Sequence, residues 1–107
     1  MDDLGYDNIF SAMTEDLQEA ADLQFRADLM LTLRRMFEEK GWKQAEIARA
    51  LGIPQPRVSE LMRGKIDLFS ADRLIGFLAL LNLRLRPRFD PQQGLVCDIV
   101  SISAVPA

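Results

Sequence analysis

The sequence predicts a mainly α-helical fold: a compact helical bundle with a central helix-turn-helix, closed by a C-terminal β-hairpin or strand. Three observations predict it. Apolar residues recur at i, i+3 and i+4 from about Glu15 to Leu81. Within residues 44–63, QAEIARALGIPQPRVSELMR, one glycine separates two short amphipathic stretches. From Leu83 onward the apolar period changes to two. The expected division is an acidic tether over 1–13, the helical domain over 14–82, and a hairpin over 83–107 that is a candidate dimerisation element.

Taken in order, residues 1–13 read as a tether with local order at best, with Phe10 and Met13 available to pack on the core. A long helix is expected from about Glu15 to Lys40, with Phe25, Leu29, Leu33, Met36 and Phe37 on one face. Gly41 stops it, and Lys40 suits the negative end of its dipole. Trp42 reads as a core anchor rather than a base-stacking group. In the first motif helix Ile47 and Leu51 share a face, beside the small Ala48 that a tight helix crossing requires. Gly52 supplies a positive φ for the turn, and Ile53 plugs the corner.

Val58 and Leu61 make the apolar stripe of the second motif helix. A residue preceding proline avoids the α region, which sets Gln55 at the N-cap or very edge and Pro56 in the first turn. Beyond Gly64-Lys65, Ser70 is a good N-cap for a helix over about Ala71–Leu81. Leu74, Phe77, Leu78 and Leu81 give that helix its core face. Leu83-Arg84-Leu85-Arg86-Pro87-Arg88-Phe89 alternates as a half-buried strand does, residues 90–94 have turn chemistry, and Leu95 to Ser103 is rich in Val and Ile. Pro87 confines its strand to an edge or bulge. A two-stranded hairpin is marginal alone in water, so it needs the helical core, a second subunit or another chain.

Composition narrows the chemistry. The 107 residues suffice for one modest core. Half the chain is apolar (49%), yet no apolar run reaches the ~18–20 residues of a membrane span. The acidic N-terminus lacks the basic region of a signal peptide. The single cysteine, Cys97, excludes an intrachain disulfide, fits a reducing cytoplasm and reads as a buried structural thiol. With no histidine, the commonest general base and metal ligand are missing. No Cys pair, phosphate loop or nucleophile elbow occurs, so no catalytic residue, metal or cofactor is predicted.

Net charge is −3, unevenly spread. Asp2, Asp3, Asp7, Glu15, Asp16, Glu19 and Asp22 face no base before residue 23, while residues 23–65 carry nine bases and five acids. The motif region can therefore present a positive face, and the acidic segment either meets something basic or keeps the protein soluble.

Residues 41–83, GWKQAEIARALGIPQPRVSELMRGKIDLFSADRLIGFLALLNL, resemble the DNA-binding domain of Xre/Cro/cI-like transcriptional regulators. They are similar above all to the HigA-type antitoxin branch, as is Asp7-Asn8-Ile9-Phe10 at the entry. Trp42-Lys43 stands where that branch has Leu-Thr, and Pro54 where it has a capping Ser or Thr. The resemblance implies a lambda-repressor-like fold, a homodimer on double-stranded palindromic DNA, and a repressor of its own operon. It further implies a basic ribonuclease toxin as partner. The alternatives are a stand-alone Xre-family regulator without a toxin, or a protein-interaction module that has kept the fold and lost DNA binding.

Helix-turn-helix proteins set the start of the second helix in the major groove. There Gln55 can pair with adenine and Arg57 with guanine. Ser59 can contact a base or phosphate, and Glu60 can accept from cytosine or pair with Arg57 or Arg63. Phosphate contacts are expected from Lys43, Arg63 and Lys65, from the helix N-terminus at Ser70, and from Gln44, which matches a backbone-contacting position of the family. Between Lys43 and Lys65 five bases oppose two acids, so one subunit should bind weakly and two should share an operator.

Overall fold

The computed structural model describes residues 3–102, with side chains from residue 13 onward. Four helices, α1 (Asp3–Lys40), α2 (Gln44–Leu51), α3 (Gln55–Met62) and α4 (Ala71–Leu80), precede two strands, β1 (Leu83–Asp90) and β2 (Gly94–Ser101). A 3-10 turn, Ile66–Leu68, joins α3 to α4. The fold is thus the expected helical bundle with a C-terminal antiparallel hairpin.

One contiguous core holds the bundle. Leu29, Met30, Leu33 and Phe37 from α1 meet Ile47 and Leu51 from α2, Val58 and Leu61 from α3, and Leu74, Phe77 and Leu78 from α4. Burying each such side chain contributes about 1.5–3 kcal/mol relative to leaving it in water. Phe25 and Met36, expected on the same face of α1, are only partly buried at the edge. Trp42 is the anchor its position suggests, with its ring stacked on Phe37 at 5.6 Å between centroids. Asn82, at φ 63, takes up the left-handed conformation after α4, which Asn tolerates better than most residues, and turns the chain into β1.

The long helix begins well before the expected Glu15, at Asp3. No proline precedes Pro54, and Ala, Leu, Glu and Gln favour helix, so elongation from the packed half proceeds without a new nucleation step. Every side chain from residue 13 to 24 is exposed. Met13 does not reach the core, being 54% exposed; Phe10 lies outside the described side chains. A 38-residue helix spans about 57 Å. That length accounts for the 61 Å long axis of a molecule only 37 × 23 Å across.

In the hairpin the register runs from Leu83 opposite Ser101 to Asp90 opposite Gly94. Side chains alternate across the ribbon. One face carries Leu83, Leu85, Pro87 and Phe89 opposite Ser101, Ile99, Cys97 and Leu95; the other carries Arg84, Arg86 and Arg88. Pro87 sits within β1, which as one strand of a two-stranded sheet is an edge. Cys97 corrects the expectation of a buried thiol: it is exposed. It stands halfway along the ribbon, at the open border of the cleft between the hairpin and α1, so an apolar sequence context did not translate into burial.

At the tip, the Asp90 carboxylate accepts from the N–H groups of Gln92 at 2.7 Å and Gln93 at 3.1 Å. Those two bonds hold its pKa below the ordinary aspartate value. Gly94 closes the turn at φ 86. Arg88 pairs across the ribbon with Asp98 at 2.7 Å.

Candidate nucleic-acid interface

The motif is built from its caps inward. Lys43 precedes α2 with extended backbone, and its N–H donates to Glu46 Oε1 at 3.1 Å. A lysine ammonium has no acceptor, so only the Glu46 half of a capping box exists here. Gln44 is the first helical residue, with its side chain in solvent. Gly52 ends α2 at φ 67, the left-handed region that a Cβ disfavours. Ile53 then turns its N–H back to the Ala48 carbonyl at 3.1 Å and buries its side chain in the corner.

Pro54 is the N-cap of α3, and its carbonyl accepts from Arg57 and Val58. Gln55 is therefore at the very edge of the helix and Pro56 follows in the first turn, where a missing N–H costs nothing. Val58 and Leu61 are fully buried, as their stripe requires. Gln55 is exposed, and Arg57, Ser59 and Glu60 are partly exposed.

The four base-contact candidates do not stand free in equal measure. Arg57 Nη1 lies 3.1 Å from Glu60 Oε1, and the guanidinium rests over the Phe69 ring at 5.8 Å. Of the two partners expected for Glu60, the structure selects Arg57. Arg63 instead turns its Nε to the Ser59 carbonyl at 3.4 Å. Lys43, Arg63 and Lys65 are all exposed, available to a phosphate backbone.

Ser70 is used differently. Its hydroxyl accepts the Arg73 N–H at 3.1 Å, which makes it the N-cap of α4. The hollow beside it is lined by Asp22, Asp67 and Asp72 against Arg26 and Arg73. Arg26 is already paired with Asp22 at 2.9 Å. The hollow is thus net acidic, which opposes a phosphate more than the helix N-terminus attracts one.

Two residues that shape the interface escaped sequence reasoning. Phe69 is buried, packs edge-on against Phe77 at 6.1 Å and is the platform under Arg57. Its signal was available: an apolar residue just before an N-cap, with Leu74 at the fourth helical position, is the pattern of a hydrophobic staple. Arg26 reaches from α1 to donate to the Ile66 carbonyl at 2.9 Å, tying the long helix to the segment after α3. Nothing in the local sequence marks a contact forty residues away.

A helix-turn-helix domain family matches residues 13–87. A solved chain described as an XRE family transcriptional regulator is 31% identical. That similarity covers 83% of this chain and 99% of the other, with a TM-score of 0.59. The chain belongs to the XRE-type helix-turn-helix family. No curated protein matches it. Membership agrees with the way α2, α3 and the Gly52 corner are assembled. Among the described residues no helix is long and apolar enough to cross a membrane.

Proposed function

We propose that this XRE-type chain is a sequence-specific DNA-binding transcriptional repressor acting as a homodimer on a palindromic operator. The observation that carries the reading is the division of α3. Val58 and Leu61 anchor it in the core, leaving Gln55, Arg57, Ser59 and Glu60 on its accessible side. In this reading Gln55 and Arg57 meet base edges, Ser59 and Glu60 assist, and Lys43, Gln44, Arg63 and Lys65 hold the phosphates. The α4 N-terminus at Ser70 is the weakest of the expected phosphate contacts, because carboxylates surround it.

The finer reading is an antitoxin that represses its own operon and neutralises a small basic ribonuclease. The projecting half of α1 supports it: Glu15, Asp16, Glu19 and Asp22 are all exposed there. The test of DNA binding is fluorescence anisotropy on the DNA upstream of the chain's own gene, at two salt concentrations, with unrelated DNA alongside. Preference for the upstream DNA by about 10³-fold or more is the expected result. Equal, weak and salt-sensitive binding to both would remove this promoter as the target. For the toxin, the product of the neighbouring gene should be a basic protein that co-purifies. Its absence would leave a stand-alone regulator.

A further inference from the structure

The hairpin carries an apolar face that only partly rests on the helices. At its base, Leu85 and Ile99 approach Phe25 and Leu29 of α1 across an apolar cleft of about 220 Å³, with Cys97, Thr32 and Asp28 at its border. That is the space of several water molecules. At its tip, on the same face, Phe89 is 68% and Leu95 86% exposed. One surface thus holds an unfilled apolar hollow and an uncovered apolar knob. The eight residues of this face include no charged one, whereas Arg84, Arg86 and Arg88 all lie on the opposite face.

We infer that this face is the interface with a second copy of the chain, the tip of each hairpin filling the cleft of the other. A two-fold contact requires a patch that complements itself, and a knob and a hollow on one patch satisfy that requirement. The spacing agrees. Phe89–Leu95 lies four residues from Leu85–Ile99, or about 13 Å along the ribbon, and the Pro87–Cys97 pair is halfway between. A two-fold axis midway between the two ribbons, passing over that middle pair and perpendicular to the strands, lays each tip over the other base. A nucleic acid would find no counter-charge on this face, and the one carboxylate at its border, Asp28, already accepts from Gln24 Nε2 at 2.9 Å. Stacking two ribbons also completes hairpins that are marginal alone. The inference rests on the two-subunit part of the proposed function and names the surface that joins the subunits.

Sedimentation velocity of the full chain, without DNA, tests it in three forms: unaltered, with Phe89→Asp and Leu95→Asp together, and with Leu95→Arg alone. All these side chains are exposed in the single chain, so circular dichroism should show each variant folded. The expected result is a dimer for the unaltered chain and a dissociation constant raised at least about 100-fold in the variants. Cys97 supplies a second readout. Packed ribbons lie about 10 Å apart, so a bifunctional thiol reagent of that span should link two copies through Cys97 in the unaltered dimer and not in the variants. Variants that remain dimeric, with Cys97 unlinked, would overturn the hairpin interface while leaving a homodimer by another surface. An unaltered chain that stays monomeric at every concentration would overturn the interface and the two-subunit reading together. Operator binding by anisotropy would then stand or fall separately.

Discussion

Replacing Arg57 by Ala is the sharpest perturbation of the proposed base-reading surface, and the structure sets its scale. In the free protein the guanidinium is held by Glu60 at 3.1 Å and by the Phe69 ring at 5.8 Å. The pair is partly exposed, 41% and 29% by side chain, so it contributes only about 0.2–0.5 kcal/mol. The contact with the ring adds about 0.5–1 kcal/mol. Freeing Arg57 for a guanine therefore costs no more than about 1.5 kcal/mol, against about 1–3 kcal/mol from a good bidentate contact. Over most of that range the base wins; with the freeing cost subtracted, a net of up to about 2.3 kcal/mol remains, and Arg57→Ala should weaken operator binding several-fold to about 50-fold with relaxed preference at one base pair. Arg57→Lys keeps the charge and loses the fork, so it should restore binding to unrelated DNA but not the preference. Glu60→Gln should improve Arg57-dependent binding about two-fold at most, unless Glu60 itself reads cytosine. Anisotropy titrations on operator and single-base variants measure all three. Unchanged affinity and preference in Arg57→Ala, with unchanged circular dichroism, would refute α3 as the reading element.

The other stability predictions are more local. Phe69→Ala removes a fully buried ring and the platform beneath Arg57, and should cost about 3–5 kcal/mol in urea unfolding. A loss under 1 kcal/mol would contradict its place in the core. The lowered pKa of Asp90 fixes a pH dependence at the hairpin tip. A depressed carboxyl stabilises the fold above its unfolded value near 3.8, and that contribution disappears as pH falls through the lower folded value. The amide shifts of Gln92 and Gln93, followed by NMR, should move together with a midpoint below 3.8, and a midpoint above 4 would contradict the turn geometry.

What could be read from the sequence was whatever depends on near neighbours. Gly52, Ile53, Val58 and Leu61 define the motif corner within ten residues, and each takes the conformation or burial its position implies. Ser70 caps α4 because its reach is three residues. The legible signals end where a residue's role is set by distant chain. Cys97 looks like core in an apolar run, yet its exposure depends on how the distant α1 lies against the ribbon. The Arg26 bond to Ile66 spans forty residues. The start of α1 was missed because acidic and Asx residues resemble a loop locally, whereas a helix already anchored by Leu29, Leu33 and Phe37 continues without further nucleation. Among the site residues the polar identities were legible, and the pairing of Arg57 with Glu60 over Phe69 was not. That arrangement needs both α3 and the segment before α4.

The exposed half of α1 poses an electrostatic problem for a DNA-binding protein, and distance resolves it. Arg26 marks where the helix is tied to the motif, through Ile66. At 1.5 Å per residue, Glu19, Asp16 and Glu15 lie about 10–17 Å further along the axis. The Debye length is about 8 Å at physiological ionic strength and about 30 Å at 0.01 M. Their repulsion of phosphates is thus largely screened in the first condition and felt in the second. Changing Glu15, Asp16 and Glu19 to Gln and Asn should leave operator affinity within about two-fold at physiological salt, and strengthen binding to all DNA several-fold at 0.01 M. If the same substitutions strengthened binding equally at both salt concentrations, the acidic residues would have to lie against the DNA, and α1 could not project away from the motif as it does. If they left DNA binding unaltered but abolished co-purification of a basic partner, the acidic half of the helix would be the partner's site, and the two charge regions of the chain would serve two separate ligands.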